Sequence, residues 1–141
     1  PGLESEIDLK PVLALKTKVA YVKQFPENFP IGYGSTYHTS DNSRIAICSG
    51  GYEDGIPRRY GNSGEVLIHG RKFPIVGNVS MDTFMVDVRT EVIAVGDEVT
   101  ILGQQGDMQI GAWEMATELG VIPYEVLCGI SPRVKRTYID L

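Results

Sequence analysis

The chain has 141 residues, 43% of them apolar, which is enough for one domain with its own core and too few for two of ordinary size. Thirteen basic and 18 acidic residues leave a net charge of −5, and no basic run or stripe offers a nucleic-acid footprint. No apolar run approaches bilayer-spanning length, no signal peptide is visible, and two cysteines make neither a disulfide framework nor a zinc site.

Cys48 and Cys128 follow apolar residues and read as small buried hydrophobes, which suits a reducing, cytoplasmic setting. The chain begins Pro1-Gly2-Leu3 without an initiator methionine, as a piece of a longer polypeptide would. Val12 to Val22 reads as a long strand, alternating apolar and polar from Leu15 to Val19, and Pro26, Asn28 and Pro30 break it into a loop. Arg44 to Cys48 is a short buried strand. Glu65–Ile68 and Lys72–Val76 flank His69-Gly70, a two-residue hairpin signal. Phe84 to Val88 alternates again; Val95 to Glu98 is a turn, and Val99 to Gly103 a strand closed by its glycine. Ile110 to Leu119 has helical spacing, with Ile110, Trp113, Ala116 and Met115 or Leu119 on one side and Gly120 just past its end. Val121 to Cys128 is apolar and ambiguous, and Val134 to Ile139 reads as a last strand whose Arg133, Lys135 and Arg136 lie on a solvated face. The sum is a mainly β fold, a small barrel or sandwich-like domain with one or two short helices.

Three segments could carry chemistry. In Ile31-Gly32-Tyr33-Gly34-Ser35-Thr36-Tyr37 a tyrosine sits between two glycines, which suits either a loop whose ring covers the core or a phenol held at a site mouth. Gly50-Gly51-Tyr52-Glu53-Asp54-Gly55 precedes Arg58 and Arg59; it follows a strand end, where sites collect, although it also suits a surface turn in which Asp54 pairs with Arg58 or caps the next turn. Gly77-Asn78-Val79-Ser80-Met81-Asp82 joins two strands without a hairpin turn; Met81 is by default a core residue, and Asp82 suits a loop-fixing bond to backbone, but irregular backbone N–H groups can bind an anion. His38 reads as a loop residue and His69 as an exposed turn residue; neither has partners at metal-ligand spacing.

Six stretches in one order resemble the carboxy-terminal domain of alanine racemases: Leu9 to Thr17, Gly32-Tyr33-Gly34-Ser35-Thr36-Tyr37, Gly51-Tyr52-Glu53-Asp54-Gly55, Pro74-Ile75-Val76-Gly77 with Ser80-Met81-Asp82, Tyr124 to Cys128, and Ile130 to Val134 with Arg136. The resemblance covers nearly the whole chain and implies one domain over 1–141, with residues 1–8 a remnant of the linker from an amino-terminal barrel. It implies two-base racemisation on pyridoxal 5′-phosphate, interconverting L- and D-alanine and so supplying a peptidoglycan precursor. A barrel lysine would hold the cofactor and work on one face of the substrate, and Tyr33 would reach the opposite face from the other subunit of a homodimer. By the same matching Met81 would meet the substrate carboxylate through its N–H, Tyr52 would line the entrance, Tyr124 would contact the cofactor phosphate, and Arg58 and Asn78 would line the corridor. Asn78 stands where an arginine is commoner, and Glu53 replaces a frequent alanine, which could shift preference towards serine or a broader set of amino acids. A phenol titrates near about 10, so Tyr33 would need nearby cations to act as a base. None of Lys10, Lys16, Lys18, Lys23, Lys72 and Lys135 matches the cofactor-bearing lysine, so the domain alone should be inactive. The partners implied are that barrel, in the same subunit and its neighbour, and a small amino acid. The competing reading is a non-catalytic β-module that binds a protein or small ligand, with the tyrosines scattered or singly buried.

Overall fold

The computed structural model describes residues 10–41 and 43–139. The Pro1-Gly2-Leu3 start, the linker expected over residues 1–8, and Leu9 lie outside the described residues. In chain order the elements are β1 Leu15–Gln24, β2 Pro30–Ile31, β3 Tyr37–His38, β4 Arg44–Ser49, β5 Glu65–Ile68, β6 Arg71–Val76, β7 Thr83–Arg89, β8 Glu98–Gln105, β9 Met108–Ile110, α1 Ala112–Leu119 and α2 Pro123–Cys128.

The long sheet runs β1-β4-β7-β6-β5-β8-β9, and β1 also pairs with β8, so the first six of these strands close a barrel. β1 is long enough to do both jobs. Its first half is antiparallel to β8 (Lys18 opposite Glu98), and its second half is antiparallel to β4 (Gln24 opposite Arg44). A register shift between Val19 and Tyr21 bends the strand between its two partners. The alternation read from Leu15 to Val19 sets the faces: both end residues are buried, while Lys16 and Lys18 face out. Lys16 meets Glu98 at 2.8 Å across the seam and holds that carboxyl below the usual carboxylate range. Closure leaves the barrel strands without free edges. The β5–β6 hairpin turns at His69-Gly70, with φ of 51° and 71°, the twist that a two-residue turn between right-twisted strands requires.

Val66, Ile68, Phe84, Val86, Val99 and Ile101 fill the interior, and Met115, Ala116, Leu119 and Val126 of the helices join the same cluster. The helix therefore buries a stripe at positions 115, 116 and 119, as three- and four-residue spacing demands. It begins at Ala112 rather than Ile110. Ile110 is the buried last residue of β9, and Trp113 points outward instead of joining the stripe. The ambiguous stretch after Gly120 is α2, entered at Pro123, whose fixed φ and missing N–H suit a first helical turn.

Several expectations are corrected. β8 does not end at Gly103; it runs to Gln105 and turns at Gly106-Asp107 into β9, so the glycine lies inside a strand. His38 belongs to β3, paired with Pro30, rather than to a loop. Cys48 is buried, and burial pushes its thiol up to about 12, but Cys128 is exposed at the end of α2. Val134–Ile139 forms no strand. After a turn in which Val134 N–H donates to Ser131 O, Arg136 folds back and donates to the carbonyls of Ile130, Ser131 and Val134. Arg136 thus ties itself to the residues before it instead of decorating a strand face.

Candidate functional site

The segments that carry Tyr33 and Tyr52 dock on one connection, residues 77–82, which joins β6 to β7 and carries Met81. Three segments dock on it side by side. The β2–β3 hairpin, with the 3-10 turn Tyr33–Ser35 at its tip, covers the Gly77-Asn78 end. Gly61 lies over Gly77 to Val79. The turn Tyr52–Asp54 runs beside Ser80 to Asp82: Gly50 N–H donates to Asp82 O at 2.7 Å, Tyr52 N–H to Ser80 O at 3.0 Å and Glu53 N–H to Met81 O at 3.1 Å. Gly51 is compelled by this approach, since a Cβ there would stand 2.2 Å from Ser80 O.

The hairpin that carries Tyr33 is fixed from below. Ile31 is buried in a small cluster on the barrel's outer wall with Ile45 and Val76, against which Phe25, Tyr37 and Met85 pack. Burying that side chain is worth roughly 2 to 3 kcal/mol. Tyr37 OH donates to Asp87 Oδ2 at 2.8 Å, and burial with this neighbouring carboxylate pushes the phenol up to about 12. Thr39 Oγ1 accepts from Phe29 N–H at 2.8 Å and donates to Pro26 O at 2.6 Å, closing the hairpin base. Gly32 and Gly34, on either side of Tyr33, both have positive φ, 74° and 76°, so the tyrosine projects from a turn and does not lie back on the core.

Tyr33 is 74% exposed, Tyr52 48%, Met81 50% and Tyr124 73%. None of them is the sealed core residue that a purely structural role would make. Met81 accepts from Glu53 through its carbonyl, and among the described residues its own N–H meets no acceptor. The loop is closed by Ser80, whose hydroxyl bonds Thr83 O at 2.8 Å and accepts from Thr83 N–H, and not by Asp82 as expected. Asp54 caps its own turn rather than the next one, accepting from Gly51 N–H at 2.9 Å, and its ion-pair partner is Arg133 at 2.8 Å rather than Arg58. That pair, with Ser131 N–H donating to Asp54 O, fastens residues 129–133 to the Tyr52 turn. α2, which carries Tyr124, ends directly before this segment, and its Glu125 lies 3.7 Å from Arg59. Arg58 is exposed on the neighbouring 3-10 turn. Tyr33, Asn78, Met81, Tyr52, Arg58 and Tyr124 thus lie on contiguous segments.

Asn62 was not legible as a site residue. Its Nδ2 donates to Thr36 Oγ1 at 3.0 Å and its Oδ1 accepts from Gly77 N–H at 2.7 Å, tying the Tyr33 hairpin to the loop. The available signal was an asparagine in Gly61-Asn62-Ser63-Gly64, a composition that reads first as a turn, and its φ of 63° bears that out.

A family model described as "Alanine racemase, C-terminal domain" matches residues 12–138. The alanine racemase of Halothermothrix orenii is 49% identical over 96% of this chain, which spans 36% of that protein. That of Methanococcus maripaludis is 44% identical over 96% of this chain and 36% of its own length. Among solved structures, alanine racemase from Bacillus anthracis with bound L-Ala-P superposes with a TM-score of 0.88 at 42% identity, over 94% of this chain and 34% of its own. The Bartonella henselae alanine racemase with covalently bound pyridoxal phosphate gives 0.89 at 33% identity, over 96% and 37%. The chain therefore spans about a third of the length of the relatives it matches.

Proposed function

From the premise that the chain belongs to the alanine racemase carboxy-terminal domain family, we propose that it supplies one side of an amino-acid racemase active site. The observation that supports this reading is that Tyr33, Tyr52 and Met81 are all exposed and that the turns bearing the two tyrosines both dock on the 77–82 connection that carries Met81.

Inverting a stereocentre by moving a proton needs one group to take the α-hydrogen and another to return one from the opposite face. Tyr33 is the group on this chain placed to hold a proton at an exposed oxygen, on a turn that leaves its ring free of the core. Met81 N–H is placed to receive a carboxylate oxygen of the substrate, which fixes the α-carbon relative to Tyr33. Tyr52 flanks that position, and Arg58 and Asn78 line the approach to it.

Pyridoxal 5′-phosphate, when bound, supplies the electron sink that makes an amino-acid α-hydrogen removable. The residues fit its neighbourhood. Tyr124 holds an exposed phenol on α2, suited to a phosphate oxygen, in a segment tied through Glu125 and Arg59 to the rim. No lysine here matches the attachment residue, so the lysine and the second base belong to a barrel that faces this rim, in a homodimer whose subunits exchange these faces. The substrate class is a small amino acid, alanine foremost.

In a racemase holoenzyme containing this domain, Tyr33→Phe should lower α-hydrogen exchange in D₂O by roughly 10²- to 10⁴-fold for the enantiomer whose hydrogen faces the phenol. The absorbance of the bound cofactor should be unchanged. Normal turnover of both enantiomers by the variant would remove Tyr33 from the mechanism.

A further inference from the structure

We propose that two asparagines, Asn62 and Asn78, are positioning residues that clamp the Tyr33 turn to the Met81 loop and so set the placement of the phenol relative to the substrate. The inference rests on the reading of Tyr33 as a proton-transfer group and goes beyond it, because it names what holds that group in place. Asn78 Nδ2 donates to the Tyr33 carbonyl at 2.8 Å, the only direct bond from the loop to the tyrosine itself among the described residues. Asn62 bridges the next residues, donating to Thr36 Oγ1 and accepting from Gly77 N–H. The polarity of both amides is decided by their partners. A carbonyl can only accept and an N–H can only donate, so Asn78 must present its NH₂ to Tyr33 and Asn62 its oxygen to Gly77.

Apart from Gly32, which packs on Gly77, Asn78 and Met85, few contacts among the described residues hold the tip of the hairpin. Ile31 and Tyr37 anchor its two legs, but Tyr33, Ser35 and Thr36 between them are exposed, and the tip's own main-chain bond is the short Ser35 N–H to Gly32 O contact at 3.2 Å. An open cavity of about 430 Å³, lined by Thr36, Tyr37, Asn62, Asp87 and Arg89 among others, leaves the turn unpacked on that side. With apolar packing missing there, two amide side chains determine where the turn rests. Both engage the segment that leads to Met81: Asn78 is part of that connection, and Asn62, from the turn after Gly61, accepts from its first N–H. Phenol and carboxylate donor therefore share one support, and a shift of one without the other is resisted.

The test uses the racemase holoenzyme containing this domain, with Asn78→Ala, Asn62→Gly and Tyr33→Phe made in parallel. Glycine at 62 deletes the side chain while accepting the positive φ, which separates loss of the clamp from backbone strain. Exchange of the α-hydrogen with D₂O is read separately for each enantiomer, alongside KM, the cofactor spectrum and the thermal unfolding midpoint. A phenol displaced by a fraction of an ångström should slow exchange about tenfold for the enantiomer that faces Tyr33, with the other enantiomer and the cofactor spectrum unchanged in both asparagine variants, and KM unchanged in Asn62→Gly. Equal slowing of both enantiomers, or no slowing by either asparagine variant while Tyr33→Phe is severely impaired, overturns the clamp and leaves the tyrosine's role intact. Full activity of Tyr33→Phe overturns the reading beneath it.

Discussion

Thr100 is a residue whose sequence context hides its position. It sits on β8 between Val99 and Ile101, fully buried, and among the described residues its hydroxyl has no hydrogen-bond partner. An unmatched buried hydroxyl costs about 1 to 3 kcal/mol, so Thr100→Val, which keeps the shape and removes the oxygen, should raise stability by about 1 kcal/mol. A urea midpoint that rises without a change in slope is the expected result. The site residues follow the opposite logic. Tyr33, Tyr52 and Met81 are apolar or amphipathic groups left in solvent on segments whose glycines were conspicuous in the sequence, and the exposure is what marks them. Asp54 shows why pairing could not be read from proximity along the chain. Arg58 is four residues away, yet the carboxylate reaches Arg133, because residues 129–133 fold back over the Tyr52 turn.

Among the elements, the helices depend on the barrel. α1 is eight residues long, too short to be stable alone, and is held by its buried stripe and by Lys72, whose ammonium bridges Glu114 on the helix and Glu65 on β5. Those carboxylates, Glu114 first, raise the Lys72 pKa above its ordinary value. The three side chains are partly exposed and screened by water, so Lys72→Met should cost no more than about 1 kcal/mol in low salt, and the loss should shrink as ionic strength rises. Equal destabilisation at low and high salt would show that the lysine acts by packing its stem rather than by charge. The strands were readable wherever one face is buried, as in β1 and β7. β9 was missed because its three residues pair only with the end of β8, which continues past a glycine that reads as a stop. The supposed last strand failed for the converse reason: Arg136 engages the carbonyls before it.

For the whole molecule, global stability carries a signature of the core's one fully buried phenol. Tyr60 is 2% exposed; burial pushes it from its ordinary 10 to about 12, partly offset by its weak bond to Glu65 O. A raised pKa means that the neutral form is favoured in the fold, so this contribution is complete below about pH 10 and is lost as pH rises towards 12. Two pH units correspond to about 2 to 3 kcal/mol. The stability of the wild type should therefore fall faster than that of Tyr60→Phe between pH 10 and 12, with the two close at pH 7; parallel curves would mean that the ring ionises without unfolding cost. Among the described residues no helix is long and apolar enough to cross a membrane. The shape that matters is the closed barrel with its rim, on which the hairpin, the 77–82 connection, the Tyr52 turn and α2 are laid edge to edge.

The sequence by itself determined the strand faces of β1, the His69-Gly70 turn, the presence of α1 with Ala116 on its buried side, and the family, because period-two and helical spacing, turn chemistry and short ordered motifs are local properties of the chain. Only the tertiary structure decided that β1 closes the barrel on β8, that Arg133 rather than Arg58 meets Asp54, and that Asn62 and Asn78 hold the Tyr33 turn. These are contacts between segments tens of residues apart. Their partners are chosen by where a closed sheet brings the segments together, which no local pattern encodes.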